Sequence, residues 1–205
     1  MGYVITALLA YLLGCSNMAV YIAKCKKIDL RSGGSGNPGA SNATILMGWK
    51  AGILVGAHDI GKAYLAVLLA RMLFPALPAV AEVAGIACVL GHIFPFYLKF
   101  QGGKGFASYI GMTLALNWKF ALIVVAAVVL ITLITDYLVL GTFTTILAVP
   151  AYMGIVTRSL PVALILCVGT AAIFFKHWEN IVRLSKGTEI GLRSTARGDH
   201  RVKNK

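Results

Sequence analysis

Charged residues are scarce in this sequence, and acidic residues are the scarcest. Only 13% of the 205 residues are charged, with 7 Asp and Glu against 19 Lys and Arg. A soluble domain has about a quarter of its residues charged, whereas 59% of this chain is hydrophobic and its mean hydropathy is +0.82. Because too few polar side chains remain to cover a surface in water, we expect an integral membrane protein in a lipid bilayer.

Cysteine is also scarce, and its spacing fits no metal site. No CxxC pair occurs, and three of the four cysteines lie in apolar stretches, where cysteine packs as a small hydrophobic residue. The four are Cys15, Cys25, Cys88 and Cys167. We therefore expect neither a metal site nor a disulfide framework.

The net charge is +12, which in a soluble protein would suggest a nucleic-acid partner. Here the basic residues lie between apolar stretches, and no basic run is interleaved with aromatic residues. The excess therefore indicates membrane topology and anionic ligands rather than nucleic acid.

Long apolar runs predict the fold. Five stretches approach the roughly 20 residues that a transmembrane helix needs, and they cover 2–23, 51–74, 78–98, 136–156 and 160–175. A further run over 106–134 is too long for one span and is interrupted near Asn117, so we divide it in two. The first stretch lacks a basic leader, so we expect a retained helix. The prediction is an all-α membrane protein with about seven spans, with six or a re-entrant element as alternatives.

The basic residues orient these spans. With seven spans, one side holds fifteen of the 19 Lys and Arg, and the other holds only Arg71, Lys119 and Arg158. Because basic residues concentrate on the cytoplasmic side, we expect the N-terminus outside and the C-terminus in the cytoplasm. We expect one transmembrane domain over 1–190 and a basic, flexible cytoplasmic tail over 191–205.

A loop rich in Gly, Ser and Asn follows the first span, over 31–42. Glycine permits a backbone whose N–H groups point into one concavity, and such nests bind phosphate. No Gly-Lys-Ser/Thr ends the loop, so it is not a Walker loop; the plain alternative is a flexible connector. The candidate phosphate ligands are Gly34, Ser35, Gly36, Asn37, Gly39 and Asn42.

A second loop follows the third span and contains Gly102, Gly103, Lys104 and Gly105. The glycines would let Lys104 approach a ligand closely, and a lysine serves phosphate as a point charge. His92, near the membrane boundary, is expected to be a packed histidine bonded to backbone.

A third polar element follows the last span. If the helix continues there, His177, Asn180 and Arg183 share one face because they are three residues apart. They offer an acid/base or orienting group, a two-way hydrogen bonder and an anion clamp. The alternative is an interfacial helix with snorkelling charges.

Ionisable residues inside the second and third spans need partners, because they are costly in a membrane. Asp59 and Lys62 lie three residues apart beside His58, and we predict a structural ion pair. Glu82 has no obvious partner within its own helix.

Together these elements resemble the three motifs of the bacterial acyl-phosphate-dependent glycerol-3-phosphate acyltransferases, and the resemblance covers residues 2–190. It rests on GSGNPGASN at 34–42, GHIFP at 91–95 with GGKG at 102–105, and NIVRL at 180–184 with GTE at 187–189. It implies a multi-pass enzyme of the bacterial inner membrane whose active site faces the cytoplasm. It further implies phospholipid biosynthesis: an acyl group would pass from acyl phosphate to the 1-hydroxyl of glycerol 3-phosphate, giving lysophosphatidic acid and phosphate. No cofactor or metal is implied.

The resemblance also implies residue roles. Ser35, Asn37 and the flanking glycines would bind phosphate, and Lys104 would bind phosphate or stabilise the developing oxyanion. His177 and Asn180 would orient or deprotonate the acceptor hydroxyl, unless a substrate phosphate oxygen is the base. A soluble enzyme that produces acyl phosphate would be a functional partner.

Three positions depart from the family pattern. No arginine follows the first motif, where Ile45 lies in the matching region; Asp136 replaces a second arginine, and Trp178 replaces a basic residue. We therefore keep two alternatives: a same-fold paralogue that acylates a different acceptor, and a small anion or lipid-phosphate transporter. Transporters usually have repeated halves and a site near the midplane, and this sequence shows no repeat.

Overall fold

The computed structural model describes residues 1–191 and 193, and this part of the chain is helical without strands. The flexible tail predicted over 191–205 lies outside the described residues, apart from Gly191 and Arg193. The helices are α1 (Gly2–Cys15), α2 (Met18–Lys26), α3 (Ala40–Met47), α4 (Trp49–Leu73), α5 (Val80–Ile93), α6 (Phe106–Leu116), α7 (Trp118–Thr135), α8 (Leu138–Thr157), α9 (Leu160–Lys176) and α10 (Trp178–Ser185), with a 3₁₀ turn at Phe96–Leu98.

Five helical segments in the described chain are long and apolar enough to cross a bilayer, and they are Gly2–Lys26, Trp49–Leu73, Val80–Leu98, Trp118–Thr135 and Leu138–Thr157. α9 and α10 make a sixth if they count as one span bent by 50°. The all-α prediction is confirmed, while the seven-span count stays a prediction because α6 has only 11 residues.

Asn117 divides the long apolar run as the sequence predicts. It ends α6 and caps α7, since its side-chain oxygen accepts a hydrogen bond from the Phe120 N–H at 3.0 Å. Such a cap satisfies one of the N–H groups that a helix start leaves unpaired.

A second break interrupts the first span between α1 and α2. Asn17 caps α2 by accepting from the Val20 N–H at 3.1 Å, and its amide donates to the Pro38 carbonyl at 3.2 Å. The break therefore ties the first glycine-rich loop to the helical bundle.

α5 lies at the centre of the bundle and packs against α1, α4, α6 and α9. Glycines let it approach α1 closely: a Cβ atom at Gly14 would lie 2.1 Å from the Cys88 carbonyl oxygen, and one at Gly91 would lie 2.1 Å from that of Tyr11. Close approach through small residues is typical of helix packing in membranes.

Candidate active site

A cavity of about 430 Å³ lies where the three motif-bearing elements meet. It is bounded by the start of α3, the turn before α6, the α7–α8 connection and the break between α9 and α10. The predicted site residues that line it are Ser35, Asn37, Gly39, Lys104, Gly105, His177, Asn180 and Arg183. The structure thus brings residues from all three motifs into one space, although they are far apart in the sequence.

Asn42 shapes the first loop from behind the cavity lining. Its side chain is fully buried; its oxygen accepts from the Ser35 N–H at 2.8 Å, and its amide donates to the Leu30 carbonyl at 2.9 Å. Gly34 and Gly36 have φ values of +59° and +67°, a conformation that glycine adopts readily. These three residues hold the loop and do not line the cavity.

The first loop differs from the expected nest, because three of its N–H groups are used internally; one of them, that of Gly39, donates to the Asn37 carbonyl at 2.9 Å. The Ser35 N–H bonds Asn42, and the Gly36 N–H donates to the Gly33 carbonyl at 3.1 Å. Ala40 and Ser41, at the start of α3, line the cavity instead. A helix N-terminus favours anions, so the donors on this side are the start of α3 and nearby side chains. This contribution of the α3 N-terminus was not predicted from the sequence.

The turn that carries Lys104 is fastened to the end of α5. The Gly102 N–H donates to the Ile93 carbonyl at 2.9 Å, and the Gly103 N–H donates to the His92 carbonyl at 3.1 Å. A Cβ atom at Gly102 would lie 2.1 Å from the His92 carbonyl oxygen, so a larger residue would push the turn away. Gly102 and Gly103 therefore position Lys104 rather than line the cavity.

Lys104 connects the second motif to the third. Its ammonium donates a hydrogen bond to the side-chain oxygen of Asn180. Burial and the nearby charge of Arg183 lower the pKa of Lys104 to about 8. A desolvated ammonium interacts strongly with an anion, because little water screens it.

Glu189 orients the third motif, although the sequence analysis assigned it no role. Its carboxylate accepts hydrogen bonds from the Asn180 amide and, at 2.8 Å, from Nε of Arg183. Its side chain is 8% exposed, whereas Glu179, which lies 3.6 Å from Arg183, is 81% exposed. An acidic residue shortly after a candidate anion clamp could have indicated this counter-ion.

His177 lies at the break between α9 and α10 rather than within one continuous helix. The condition that the helix continues without a break is therefore not met, yet all three residues line the cavity. Nδ1 of His177 lies 2.8 Å from the Ile173 carbonyl oxygen. A carbonyl only accepts, so Nδ1 carries the proton and Nε2 carries the lone pair. That nitrogen can accept a proton from a ligand hydroxyl.

The positions that depart from the family pattern have distinct surroundings. Ile45 lines the cavity and contributes no charge. Asp136 closes α7 with φ +74°, and its carboxylate accepts from the Arg193 N–H at 2.8 Å. Trp178 is 58% exposed. Asp136 therefore fastens the chain after Glu189 and is not among the residues that line the cavity.

The predicted Asp59–Lys62 pair is confirmed, with 2.9 Å between the Asp59 Oδ1 and Lys62 Nζ atoms. The expectation that His92 bonds to backbone was wrong, because its Nδ1 lies 2.8 Å from Lys62 Nζ. Asp59 and His92 both reach the cavity. Among the described residues, no group of three or more His, Cys, Asp or Glu could hold a metal ion.

Comparison with known sequences identifies the family. A family model described as glycerol-3-phosphate acyltransferase matches residues 4–187. A glycerol-3-phosphate acyltransferase of Coxiella burnetii is 40% identical over 193 residues, covering 92% of this chain and 97% of its own. Glycerol-3-phosphate acyltransferase 1 of Oceanobacillus iheyensis is 35% identical over 201 residues, covering 95% and 97%.

Solved structures agree with these sequence matches. The glycerol 3-phosphate form of PlsY (YgiH), an integral membrane glycerol 3-phosphate acyltransferase, has a TM-score of 0.89 and 33% identity, covering 96% of this chain and 98% of its own. The lysophosphatidic acid form has a TM-score of 0.84, covering 93% and 95%. The chain is therefore an integral membrane enzyme that belongs to the glycerol-3-phosphate acyltransferase family.

Proposed function

We propose that the enzyme transfers a fatty acyl group from acyl phosphate to the 1-hydroxyl of glycerol 3-phosphate. One observation carries the proposal: a single cavity is lined by residues of all three motifs, with Lys104 and Arg183 beside hydrogen-bond donors and acceptors. The relatives carry out acylation of glycerol 3-phosphate, and acyl phosphate is the donor that best suits this cavity.

Acyl phosphate suits a site without a cysteine nucleophile. The donor is a mixed anhydride, so its carbonyl carbon is already activated for attack. The acceptor hydroxyl oxygen forms the new C–O bond, the bond to the phosphate oxygen breaks, and inorganic phosphate leaves. The hydroxyl proton passes to a base. None of the four cysteines lines the cavity, in accord with direct transfer between the two substrates.

Two anionic substrates must lie close together for this reaction. Lys104 and Arg183 offset the repulsion between two phosphoryl groups, and Lys104 is placed to stabilise the oxyanion that forms at the carbonyl. Ser35, Asn37 and the start of α3 bind phosphate from the opposite side. Positioning of reactants and preorganised charge can supply much of the rate enhancement without a covalent enzyme intermediate.

The acceptor hydroxyl is placed by the third motif. Asn180, held between Lys104 and Glu189, orients the hydroxyl. His177 takes its proton through Nε2, unless an oxygen of the substrate phosphate does so. Both routes require the same position for the hydroxyl, at the junction of α9 and α10.

The membrane placement follows from the charges and the cavity wall. Residues 1–190 form one domain in the bacterial inner membrane, with the site facing the cytoplasm, because the basic loops lie on the site's side. Part of the cavity wall is apolar, with Ile45, Phe106, Leu138 and Val139 among its residues. The acyl chain can therefore stay in lipid while the phosphate reaches the site. A soluble enzyme that makes acyl phosphate supplies the donor.

A different acceptor is the second candidate, and Ile45 supports it. An uncharged side chain occupies the cavity wall where a cation would hold a second phosphate. A less anionic polyol would suit such a wall.

An acceptor panel tests both candidates with the purified protein in lipid. Acyl phosphate is supplied with glycerol 3-phosphate, glycerol, or other polyols and their phosphates, and phosphate release and acylated product are measured. Turnover highest with glycerol 3-phosphate supports the proposal. Turnover with another acceptor alone supports the paralogue, and no turnover with any acceptor contradicts both.

A further inference from the structure

A buried ionic cluster lies beneath the Gly-Gly-Lys-Gly turn and contains none of the residues that the proposed acyl transfer uses. Asp59 and Lys62 belong to α4, and His92 belongs to α5. These three side chains are between 2% and 4% exposed. Lys62 Nζ lies 2.7 Å from the Ser16 carbonyl oxygen, 2.8 Å from His92 Nδ1 and 2.9 Å from Asp59 Oδ1.

These distances fix the protonation of His92. An ammonium has three N–H donors and no acceptor, so Lys62 can only donate across its 2.8 Å contact with His92 Nδ1. Nδ1 of His92 must therefore accept, which puts the proton of the neutral ring on Nε2. Nδ1 also lies 3.3 Å from Asp59 Oδ1, and two acceptors cannot bond each other. The Lys62 ammonium between them holds this tautomer.

The residues around Asp59 make its interaction with Lys62 important for the His92 tautomer. His58 lies on the other side of Asp59, with Nδ1 at 3.5 Å from Oδ1, and its Nε2 is 3.0 Å from the Ser16 hydroxyl oxygen. Lys62 is the only lysine or arginine of the described chain that lies within 4.0 Å of an Asp59 carboxylate oxygen. Loss of the ammonium would thus leave Asp59 facing two histidines.

The Nε2 edge of His92 faces the Gly-Gly-Lys-Gly turn. A Cβ atom at Gly103, the residue before Lys104, would lie 2.1 Å from Nε2, and both His92 and Lys104 line the cavity. Within the described chain, both polar contacts of the ring, with Lys62 and with Asp59, are made by Nδ1, and none is made by Nε2. Nε2–H is therefore a donor available to a ligand.

We propose that Lys62 and Asp59 are positioning residues that hold His92 as the Nε2–H tautomer, a hydrogen-bond donor to a phosphoryl oxygen in the cavity. The inference rests on the proposed function, because that function supplies the phosphoryl groups. Two substrates carry such a group, so the donor serves either acyl phosphate or glycerol 3-phosphate.

Two variants separate this role from simple structural support. In Lys62→Met, the Asp59 carboxylate becomes the partner of His92 Nδ1, and the proton moves to Nδ1. Nε2 then presents a lone pair to the phosphoryl group. In the double variant Asp59→Asn/Lys62→Met, the new amide can donate to Nδ1, which restores the Nε2–H tautomer without any buried charge. Lys119→Met, at an exposed position, is the matched control.

The tautomer is read by ¹⁵N NMR of histidine-labelled protein, with His92 assigned by His92→Gln. His177, with its proton on Nδ1, is an internal reference of the opposite tautomer. We expect Nε2–H in the wild type and Nδ1–H in Lys62→Met. Activity should fall about 10- to 100-fold in kcat/KM, the range of one charge-assisted hydrogen bond. The substrate whose KM rises identifies the phosphoryl group.

Rescue decides the outcome. The double variant should regain both the Nε2–H signal and most of the activity, and Lys119→Met should match the wild type. An Nδ1–H signal in the wild type, or unchanged activity once the tautomer has switched, overturns the inference. If the wild type lacks acyl transfer altogether, the proposed function fails, whereas the tautomer measurements still test the arrangement of the cluster.

Discussion

The Lys104 ammonium donates a hydrogen bond to the Asn180 side-chain oxygen, although the two residues lie 76 positions apart in the chain. The Asn180 amide donates in turn to Glu189, which also accepts from Arg183. One polar chain thus joins the second and third motifs and fixes two cations. Preorganised charge of this kind stabilises transition states because it needs little rearrangement during the reaction.

Replacement of Lys104 is the first test of these polar contacts. We expect Lys104→Ala to lower kcat at least about 100-fold, because one electrostatic stabiliser of a transition state contributes that much. The protein should stay folded, since the Gly102 and Gly103 bonds to α5 do not involve the side chain. Steady-state acyl transfer and thermal unfolding are the measurements. Lys186→Ala, at an exposed lysine, is the control, and equal activity of the two variants would refute the assignment.

The pH dependence should report the same ammonium. Burial, with the nearby Arg183 charge, lowers the pKa of Lys104 to about 8, so the free enzyme loses this cation as the pH rises through that value. We expect kcat/KM to be maximal below about pH 8 and to fall above it, since kcat/KM reports the free enzyme. In Lys104→Arg, which stays protonated, any remaining activity should lack this decline. A wild-type profile that stays flat to about pH 10, near the ordinary lysine pKa, would contradict the prediction.

Glu189 should matter more than its neighbour Glu179. Glu189→Gln keeps the size of the side chain but leaves Arg183 without its buried counter-ion. We expect a loss of about 1.5–3 kcal/mol in stability, the range for a hydrogen bond to a charged group, and at least about tenfold lower activity. Unfolding can be followed with a thiol-reactive dye as the signal that the buried Cys15 and Cys88 add to that of the exposed Cys25 and Cys167.

Glu179→Gln provides the matched comparison on the same arginine. Its carboxylate is 81% exposed and lies 3.6 Å from Arg183, and exposed pairs contribute little. The stability and the activity of Glu179→Gln should both stay close to those of the wild type. Equal effects of the two substitutions would show that Glu189 does not orient the site.

A cation at position 45 should improve acceptor binding if the enzyme is a weakened member of its family. Ile45 lines the cavity, so in Ile45→Arg a guanidinium would reach the substrate phosphate. We expect KM for glycerol 3-phosphate to fall about tenfold, the effect of a charge-assisted contact. Ile45→Gln, which is polar but uncharged, should have a much smaller effect.

Because Asp136 replaces a second arginine of the family pattern, Asp136→Arg is the natural addition to that variant, but the contacts of Asp136 argue against it. The Asp136 carboxylate holds the Arg193 N–H, so its replacement would release the chain that follows Glu189. Ile45→Arg should therefore bind glycerol 3-phosphate at least as well as the double variant. A stable Ile45→Arg with unchanged KM would argue that no phosphate lies beside position 45.

The helices and the motif residues could be predicted because their signals are local. The length of an apolar run predicts a transmembrane span. An asparagine that interrupts such a run, as Asn117 does, predicts a helix cap. Glycine-rich segments with a lysine predict an anion site from composition. The contact between Lys104 and Asn180 could not be predicted from local sequence, because only the packing of α5, α6 and α9 brings these residues together.

The partners of buried polar groups could not be predicted for the same reason. The spacing of Asp59 and Lys62 predicts an ion pair on one helix, but His92 comes from another helix, and its ring orientation depends on tertiary packing. Internal use of the Ser35 N–H group likewise depends on where Asn42 folds back. The sequence shows which donors exist, whereas only the fold shows which of them remain available to a ligand.

The most direct test of the central claim is the stoichiometry of the reaction in the purified protein. Acyl phosphate and glycerol 3-phosphate are mixed with the enzyme in lipid, and lysophosphatidic acid and inorganic phosphate are measured together over time. We predict equal amounts of the two products from the wild type, and at least about 100-fold slower formation of both by Lys104→Ala. Phosphate release without lysophosphatidic acid, or equal rates in the two proteins, would contradict acyl transfer at this cavity.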